Sequence, residues 1–401
     1  MNQRAPDGEI GSQAAPRQAN GRPARQTACL VILAGLVVVA LGVTLPGLAG
    51  TRPILKIGLS APFTGWDESM GYEVIHSVRL ALRERNQSGG AGGYNIELAA
   101  LDDRNEPAEA AQQVRELAVD PDILGAVGGL DNEAMLAATA EVHKAGLPYI
   151  IIGGTAAALT DQGYSEVFRL APRDDAVAAA AVDYATRVLQ AKRLALIQDP
   201  AQAGLAAAFA AAVGKAGMPV IYTGEVRRWQ MDFGPLVSDL RARQADAVLF
   251  AGRVSEAGPL LEQARAAGLR FALVGGPALD DARLGQLAGP GPGMEPCYAV
   301  SIASVDSASP FSAGYGGLAG KAPNARAALA YDATGVLLDA IARASGGGRP
   351  TRPRVLAELA KTQGYRGVTG TITFDKKGDN ILARPVVYQL GPKVYPGAVV
   401  R

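Results

Sequence analysis

The residues with the strongest claim to chemistry lie in one run, Gly146-Leu147-Pro148-Tyr149-Ile150-Ile151-Ile152-Gly153-Gly154-Thr155. An unbroken apolar segment of strand length that delivers Gly-Gly-Thr reads as a buried parallel strand opening into a ligand-facing turn. Gly153 and Gly154 let a backbone approach something small, and Thr155 offers a hydroxyl and an N–H where a carboxylate is favoured. The same residues also suit a plain strand-to-helix turn capped by Thr. Catalytic constellations are missing: there is no Gly-x-Ser-x-Gly elbow, P-loop, paired-cysteine motif or His-Glu-x-x-His motif. His76 and His143, the only histidines, fall in apolar-rich helical stretches as surface or packed side chains. Gly153-Gly154 lacks the Gly-x-Gly-x-x-Gly spacing of a nicotinamide enzyme. Asp102-Asp103 reads as a solvated turn, since no ligand cluster accompanies it. No catalytic residue, metal site or cofactor is expected.

The elements that must position this turn alternate regularly. Strand Ile54–Ser60, helix Gly71–Asn86, strand Asn95–Leu101, helix Pro107–Val119, strand Ile123–Val127 and helix Glu133–Ala145 precede it, which argues a doubly wound parallel sheet. In such sheets ligands bind outside the carboxyl ends of the strands, so loops 128–132 and 153–155 should be neighbours. After Pro172 the pattern restarts, with helices over 176–190, 205–216, 233–243 and 256–267 alternating with strands over 194–198, 220–224, 247–250 and 271–274. A second α/β lobe of similar size follows. Helix 327–344 and strands near 370–374 and 384–389 are too few for a third domain and return to complete the two lobes.

Composition agrees with an exported globular body. With 401 residues, 48% hydrophobic and 19% charged, the chain can bury a large core and is long enough for two domains. Formal net charge is +1, and the first 50 residues hold Arg4, Arg17, Arg22 and Arg25 against Asp7 and Glu9, so the rest nets −1. Such a body lacks the footprint of a nucleic-acid binder. Cys29 and Cys297 are the only cysteines, and with Cys29 in the leader the body has no internal disulfide. Residues 26–51 carry no charge, and the aliphatic run 28–45 follows a basic segment, as in a signal peptide or an N-terminal membrane anchor.

From Ile54 to Leu390 the chain resembles the type I periplasmic binding proteins, specifically the branched-chain amino-acid (Leu/Ile/Val) binding family of ABC importers. The resemblance rests on Thr64-Gly65 with Gly71, Asn86 before Gly89-Gly90, Asp102-Asp103 with Pro107, and Gly146-Leu147-Pro148 leading to Gly153-Gly154-Thr155. It continues through Gln263-Ala264-Arg265-Ala266-Ala267-Gly268-Leu269, Tyr331-Asp332-Ala333, and Gly370 with Phe374-Asp375-Lys376-Lys377-Gly378-Asp379. It implies an α/β fold of two doubly wound, Rossmann-like lobes joined by a three-strand hinge, preceded here by an N-terminal hydrophobic helix. The expected division is a leader over 1–50, a first lobe of 54–172 plus 302–370, a second lobe of 173–301 plus 384–398, and a crossing region over 371–383.

The resemblance also implies a function: capture of a small carboxylate, most simply an amino acid or analogue, outside the cytoplasm, for an ABC importer permease in the membrane. Export or anchoring would run through residues 28–48. The alternative is a membrane-anchored ligand sensor ectodomain of the same fold. By resemblance, Gly153 and Thr155 hold the ligand carboxylate, and Asn132, beside Leu130, stands where a serine does the same work. Met70 and Ala203 stand where aromatic pocket residues are usual, Arg253 where a tyrosine is usual, and Pro277 near where a glutamate takes the ligand ammonium. Asp280 or Asp281 replaces that glutamate from the same loop. An Arg253 facing the cleft would favour a ligand with a second acidic group or no amine, whereas a surface arginine at a strand end would carry no such meaning.

Overall fold

A computed structural model describes residues 52–289, 296–391, 395 and 397–400. The expected leader over 1–50, with its apolar run, lies outside them. Among the described residues no helix is long and apolar enough to cross a membrane.

The first sheet is all parallel and holds β1 (Ile54–Ala61), β2 (Asn95–Asp102), β3 (Ile123–Gly128), β4 (Tyr149–Ile151) and β5 (Val167–Arg169) in the order β2-β1-β3-β4-β5. Every residue of β3 and β4 is buried, as a strand covered on both faces requires. Helices α1 (Glu68–Gln87), α2 (Pro107–Val119), α3 (Asn132–Ala145) and α4 (Ala158–Asp161) make the connections. Helix α1 starts three residues before the expected Gly71. That glycine lies against the preceding loop, where a Cβ would come within 1.7 Å of the Pro62 carbonyl oxygen.

The second sheet runs β14-β13-β10-β9-β8-β6-β7. Strands β6 (Leu194–Gln198), β7 (Val220–Glu225), β8 (Ala247–Ala251), β9 (Ala272–Gly275) and β10 (Cys297–Ser301) are parallel. Helices α5 (Asp174–Asp183), α6 (Ala203–Lys215), α7 (Gly234–Ala242), α8 (Val254–Ala266) and α9 (Leu284–Leu287) belong to this half. Two further strands are not parallel: β13 (Val386–Leu390) is antiparallel to β10, and β14 (Ala398–Val399) is antiparallel to β13, while β11 (Tyr365–Gly367) and β12 (Gly370–Ile372) form a separate hairpin before them. The cause is connectivity. The chain leaves the sheet at the end of β10 and re-enters from that same end through β13, so the two must run oppositely.

Three helices between those strands return to the first lobe: α11 (Ala325–Ala344) and α12 (Arg352–Leu359) pack onto the first sheet, and α10 (Pro310–Ala319) packs through Phe311 and Tyr315 beside Leu80 of α1. Leu329, Ala333 and Leu337 of α11 and Val355 of α12 share one buried cluster with Leu55, Ile57 and Leu59 of β1. The opposite face of that sheet is covered by Val114, Leu117, Ala138 and Val142. Strands of the second sheet are likewise covered on both faces, by Val177 and Phe209 on one and Leu240 and Leu260 on the other. The chain therefore passes between the two layered lobes three times: between β5 and α5, between Ser301 and Ala303, and between Phe374 and β13.

Candidate ligand-binding cleft

The carboxyl ends of the parallel strands of both sheets face one cavity. Segments after β1, β2, β3 and β4, loops and first helical turns together, contribute Met70, Asn105, Leu130 to Asn132, and Gly153 with Thr155. The corresponding segments after β6, β8 and β9 contribute Gln202 and Leu205, Arg253 and Val254, and Pro277, Ala278 and Asp280. Of the eight residues singled out from the sequence, seven line this space.

Ala203 is the exception and requires correction. It is exposed at the start of α6, because the helix turns Gln202 and Leu205, three apart, toward the cavity and leaves positions 203 and 204 facing out.

Loops 128–132 and 153–155 are bonded to each other. The Gly153 and Gly154 N–H groups both donate to the Gly129 carbonyl, at 3.1 and 3.0 Å, and a Cβ on Gly153 would sit 3.1 Å from the Leu130 carbonyl oxygen. The small body these glycines admit is the neighbouring loop itself. Asn132 completes the junction: its Oδ1 accepts from the N–H groups of Thr155 at 2.8 Å and Ala156 at 3.0 Å. That fixes the orientation of the carboxamide and leaves Nδ2 as its free donor. The Thr155 N–H is thus taken, and the one proton of its hydroxyl is shared between Asp174 and a ligand. Beside it, burial pushes the Asp174 carboxyl above its ordinary pKa, with the Thr155 hydroxyl and Arg169 pulling the other way.

Thr155 is held from behind by a fully buried arginine. Arg169 Nη1 donates to the carbonyls of Thr155 and Ala156 at 3.0 and 2.7 Å, while its Nε and Nη2 reach Asp379 Oδ1 at 2.9 and 2.6 Å. Asp379 lies in the third crossing, and its other oxygen accepts from Arg173 of the first at 2.7 Å. The Asp174 N–H also donates to the Thr155 carbonyl at 2.9 Å. One carboxylate and one guanidinium therefore join the ligand-facing turn to two of the three crossings.

Arg253 faces the cleft, and its charge is already answered. Nη2 lies 3.0 Å from Asp131 Oδ2 and 3.3 Å from Glu133 Oε2, both on the first lobe. Burial opposes the guanidinium charge, but Asp131, Asp199 and Glu133 outweigh it and raise the pKa. A second acidic group on the ligand is not required. Arg283 acts similarly near the mouth, pairing with Asp281 and, across the cleft, with Asp67 at 3.2 Å, over the Trp66 ring at 5.0 Å. Trp66 meets Trp229 of the second lobe edge-to-face at 4.7 Å.

Asp280 differs from these. Oδ2 accepts from the Ser301 hydroxyl, but the buried Oδ1 has no hydrogen-bond partner among the described residues. Arg326 Nη1 and the Tyr395 hydroxyl donate to its main-chain carbonyl instead. Burial raises the Asp280 pKa against the pull of Arg326 and Ser301. The alternative, Asp281, is committed to Arg283 and has its pKa lowered, with burial opposing the shift. Asp102-Asp103 is no solvated turn: Asp102 caps the β1 loop through the Phe63 N–H and Thr64 hydroxyl, and Asp103 is buried and accepts from the Ser60 hydroxyl at 2.7 Å. Gln202, Trp66, Arg283 and Arg326 went unnoticed in the sequence. Gln202 had a signal in its position just after a strand end, whereas Arg326 arrives from helix α11 and had none.

A cleft between two layered lobes, walled by strand-end loops of each and crossed by ion pairs, defines a protein that captures a small molecule by enclosing it. The model of the periplasmic binding protein family matches residues 54–389, and the chain belongs to that family of solute-binding, non-enzymatic proteins. An amino acid binding protein of Pseudomonas aeruginosa is 31% identical over 354 residues, 84% of this chain and 90% of its own. The branched-chain amino acid substrate-binding protein LivJ of Streptococcus pneumoniae, solved with isoleucine, superposes with a TM-score of 0.78 at 26% identity, covering 86% of this chain and 99% of its own. The leucine binding protein LivK of Thermotoga maritima gives 0.75 at 27% identity over 86% and 97%.

Proposed function

We propose that the protein is an extracytoplasmic solute-binding protein that captures a free α-amino acid as its zwitterion and presents it to an ABC importer permease. The observation that carries this reading is the buried, unpartnered Oδ1 of Asp280. An uncompensated carboxylate oxygen in a desolvated cavity is costly, and a ligand ammonium supplies the missing charge-assisted hydrogen bond. Toward the first lobe, Asn132 Nδ2 and the Thr155 hydroxyl take the ligand carboxylate, and Gly153, with no side chain, leaves room for it. Leu130 and Met70 add apolar wall. The division into 54–172 plus 302–370 and 173–301 plus 384–398, with 371–383 crossing between them, then works as a hinge, and residues 28–48 export or anchor the body.

Closure follows if the amine is read by the second lobe and the carboxylate by the first. A ligand that touches one lobe alone has no preference for the closed state. Calorimetric titration with amino acids and with their N-acetyl and descarboxy counterparts tests the reading. Binding should need both the ammonium and the carboxylate; equal affinity for an N-acetyl derivative would overturn the role of Asp280.

A further inference from the structure

On the second-lobe wall of the cleft, among Leu205, Val254, Pro277 and Ala278, stands a neutral polar side chain, Gln202; the other on that wall, Ser301, already donates its hydroxyl to Asp280. It is 8% exposed, and its carboxamide has no hydrogen-bond partner among the described residues, although its own N–H is satisfied by the Asp199 carbonyl at 2.8 Å. The short turn that carries it is fixed by Asp199, whose Oδ1 accepts from the Ala201 N–H at 3.0 Å. The residue is therefore positioned by backbone on the cavity wall, and its donors and acceptor are uncommitted. The charged groups around it do not answer it: Arg253 is held by Asp131 and Glu133, and Arg283 by Asp67 and Asp281.

We infer that Gln202 sets the side-chain specificity of the site, and that the ligand is an amino acid whose side chain ends in a neutral group able both to donate and to accept, a carboxamide above all. This rests on the amino-acid reading given above. A carboxamide presents two N–H donors and a carbonyl, so two such groups can pair reciprocally. An aliphatic side chain would close the cavity over an amide with no partner, and sites built to hydrogen-bond a substrate group discriminate strongly against analogues that lack it. A carboxylate in the same place could only accept, leaving one side of Gln202 unanswered.

The test is titration calorimetry of the folded protein with glutamine, asparagine, glutamate, methionine and leucine, repeated on Gln202→Leu and on Gln202→Met, the latter closer in shape. The wild type should bind glutamine or asparagine at least about tenfold more tightly than methionine or leucine, and the variants should narrow or reverse that ratio. A wild-type preference for leucine or methionine, or a ratio unchanged in a folded variant, overturns the assignment of Gln202 alone and leaves the amino-acid reading standing. Absence of binding by all five overturns the amino-acid reading for this panel, and the Gln202 assignment with it.

Discussion

Arg253 of the second lobe and Asp131 of the first are joined across the cleft at 3.0 Å, and each is the residue that precedes a helix, α8 and α3 respectively. Asp131 does two things at once: Oδ1 accepts from the N–H groups of Glu133 and Ala134, capping α3, and Oδ2 accepts from Arg253. Both side chains are about six-sevenths buried, at 15% and 14% exposure, so the pair is largely desolvated. It belongs to the closed arrangement, since separating the lobes separates the charges.

Arg253→Ala should therefore loosen closure without changing which ligand is preferred. The loss is about 1–3 kcal/mol of closed-state stability, near the range for removing a hydrogen bond to a charged group. Affinities for all ligands should fall by a similar factor, and small-angle scattering of the ligand-bound variant should show a larger radius than the wild type. A change of ligand preference with an unchanged radius would mean that Arg253 contacts the ligand instead.

Asp379→Asn tests whether the third crossing positions the ligand turn. The substitution keeps the shape but removes the charge that faces the fully buried Arg169 and the half-buried Arg173. Breaking a buried ion pair on one side costs about 3–5 kcal/mol, so the denaturation midpoint should drop. Because Arg169 also holds the Thr155 and Ala156 carbonyls, ligand affinity measured well below that midpoint should fall as well. Loss of stability with unchanged affinity would make the cluster purely structural.

Much of this was legible in the sequence because parallel strands advertise themselves. Runs such as Tyr149-Ile150-Ile151 and Ala247-Val248-Leu249-Phe250-Ala251 are buried on both faces and stand out against polar helices, and the loops at their ends follow. Helix α10 was hidden by Gly314, Gly316 and Gly317, and is held by Pro310 in its first turn and by Ser309, whose hydroxyl accepts from the Ser312 N–H. Strand β10 was hidden behind the Gly/Pro run before it. In the site, the loop backbone was readable, whereas the partnership of Asp280, Arg283 and Arg326 was not. Apart from the local Arg283–Asp281 pair, those contacts join segments tens or hundreds of residues apart, and no local pattern encodes them.

Asp103 gives the protein a pH dependence of definite sign. Burial lifts its carboxyl to about 6, with the Asn105 N–H and Ser60 hydroxyl opposing the shift and Asp102 and Asp131 adding to it. An unfolded chain releases that proton near pH 4, so between roughly pH 4 and 6 the folded state binds the extra proton. The contribution to stability is full below the unfolded value and is lost as pH rises through 6, by about 2–3 kcal/mol. Asp103→Asn should flatten that part of the profile. Denaturant midpoints at pH 5 and pH 7.5 measure it, and an identical difference in wild type and variant would assign the titration elsewhere.

Thr155→Val is the most direct test of the first-lobe half of the site. The exchange retains the branched shape of a 4% exposed side chain, and the main chain stays held, because the Thr155 carbonyl still accepts from Arg169 and the Asp174 N–H and its own N–H still reaches Asn132 Oδ1. Only the hydroxyl disappears. If that hydroxyl donates to a ligand carboxylate, the lost charge-assisted bond is about 1.5–3 kcal/mol, or roughly 10- to 150-fold in affinity. The unfolding midpoint in the absence of ligand should move little by comparison. Asn132→Ala provides the contrast: it frees the Thr155 and Ala156 N–H groups while removing Nδ2, exchanging one donor for two, so it should weaken carboxylate binding less than Thr155→Val does. Were Thr155→Val to keep full affinity while Asn132→Ala abolished it, the carboxylate would be held by the carboxamide alone, and the hydroxyl would serve only Asp174.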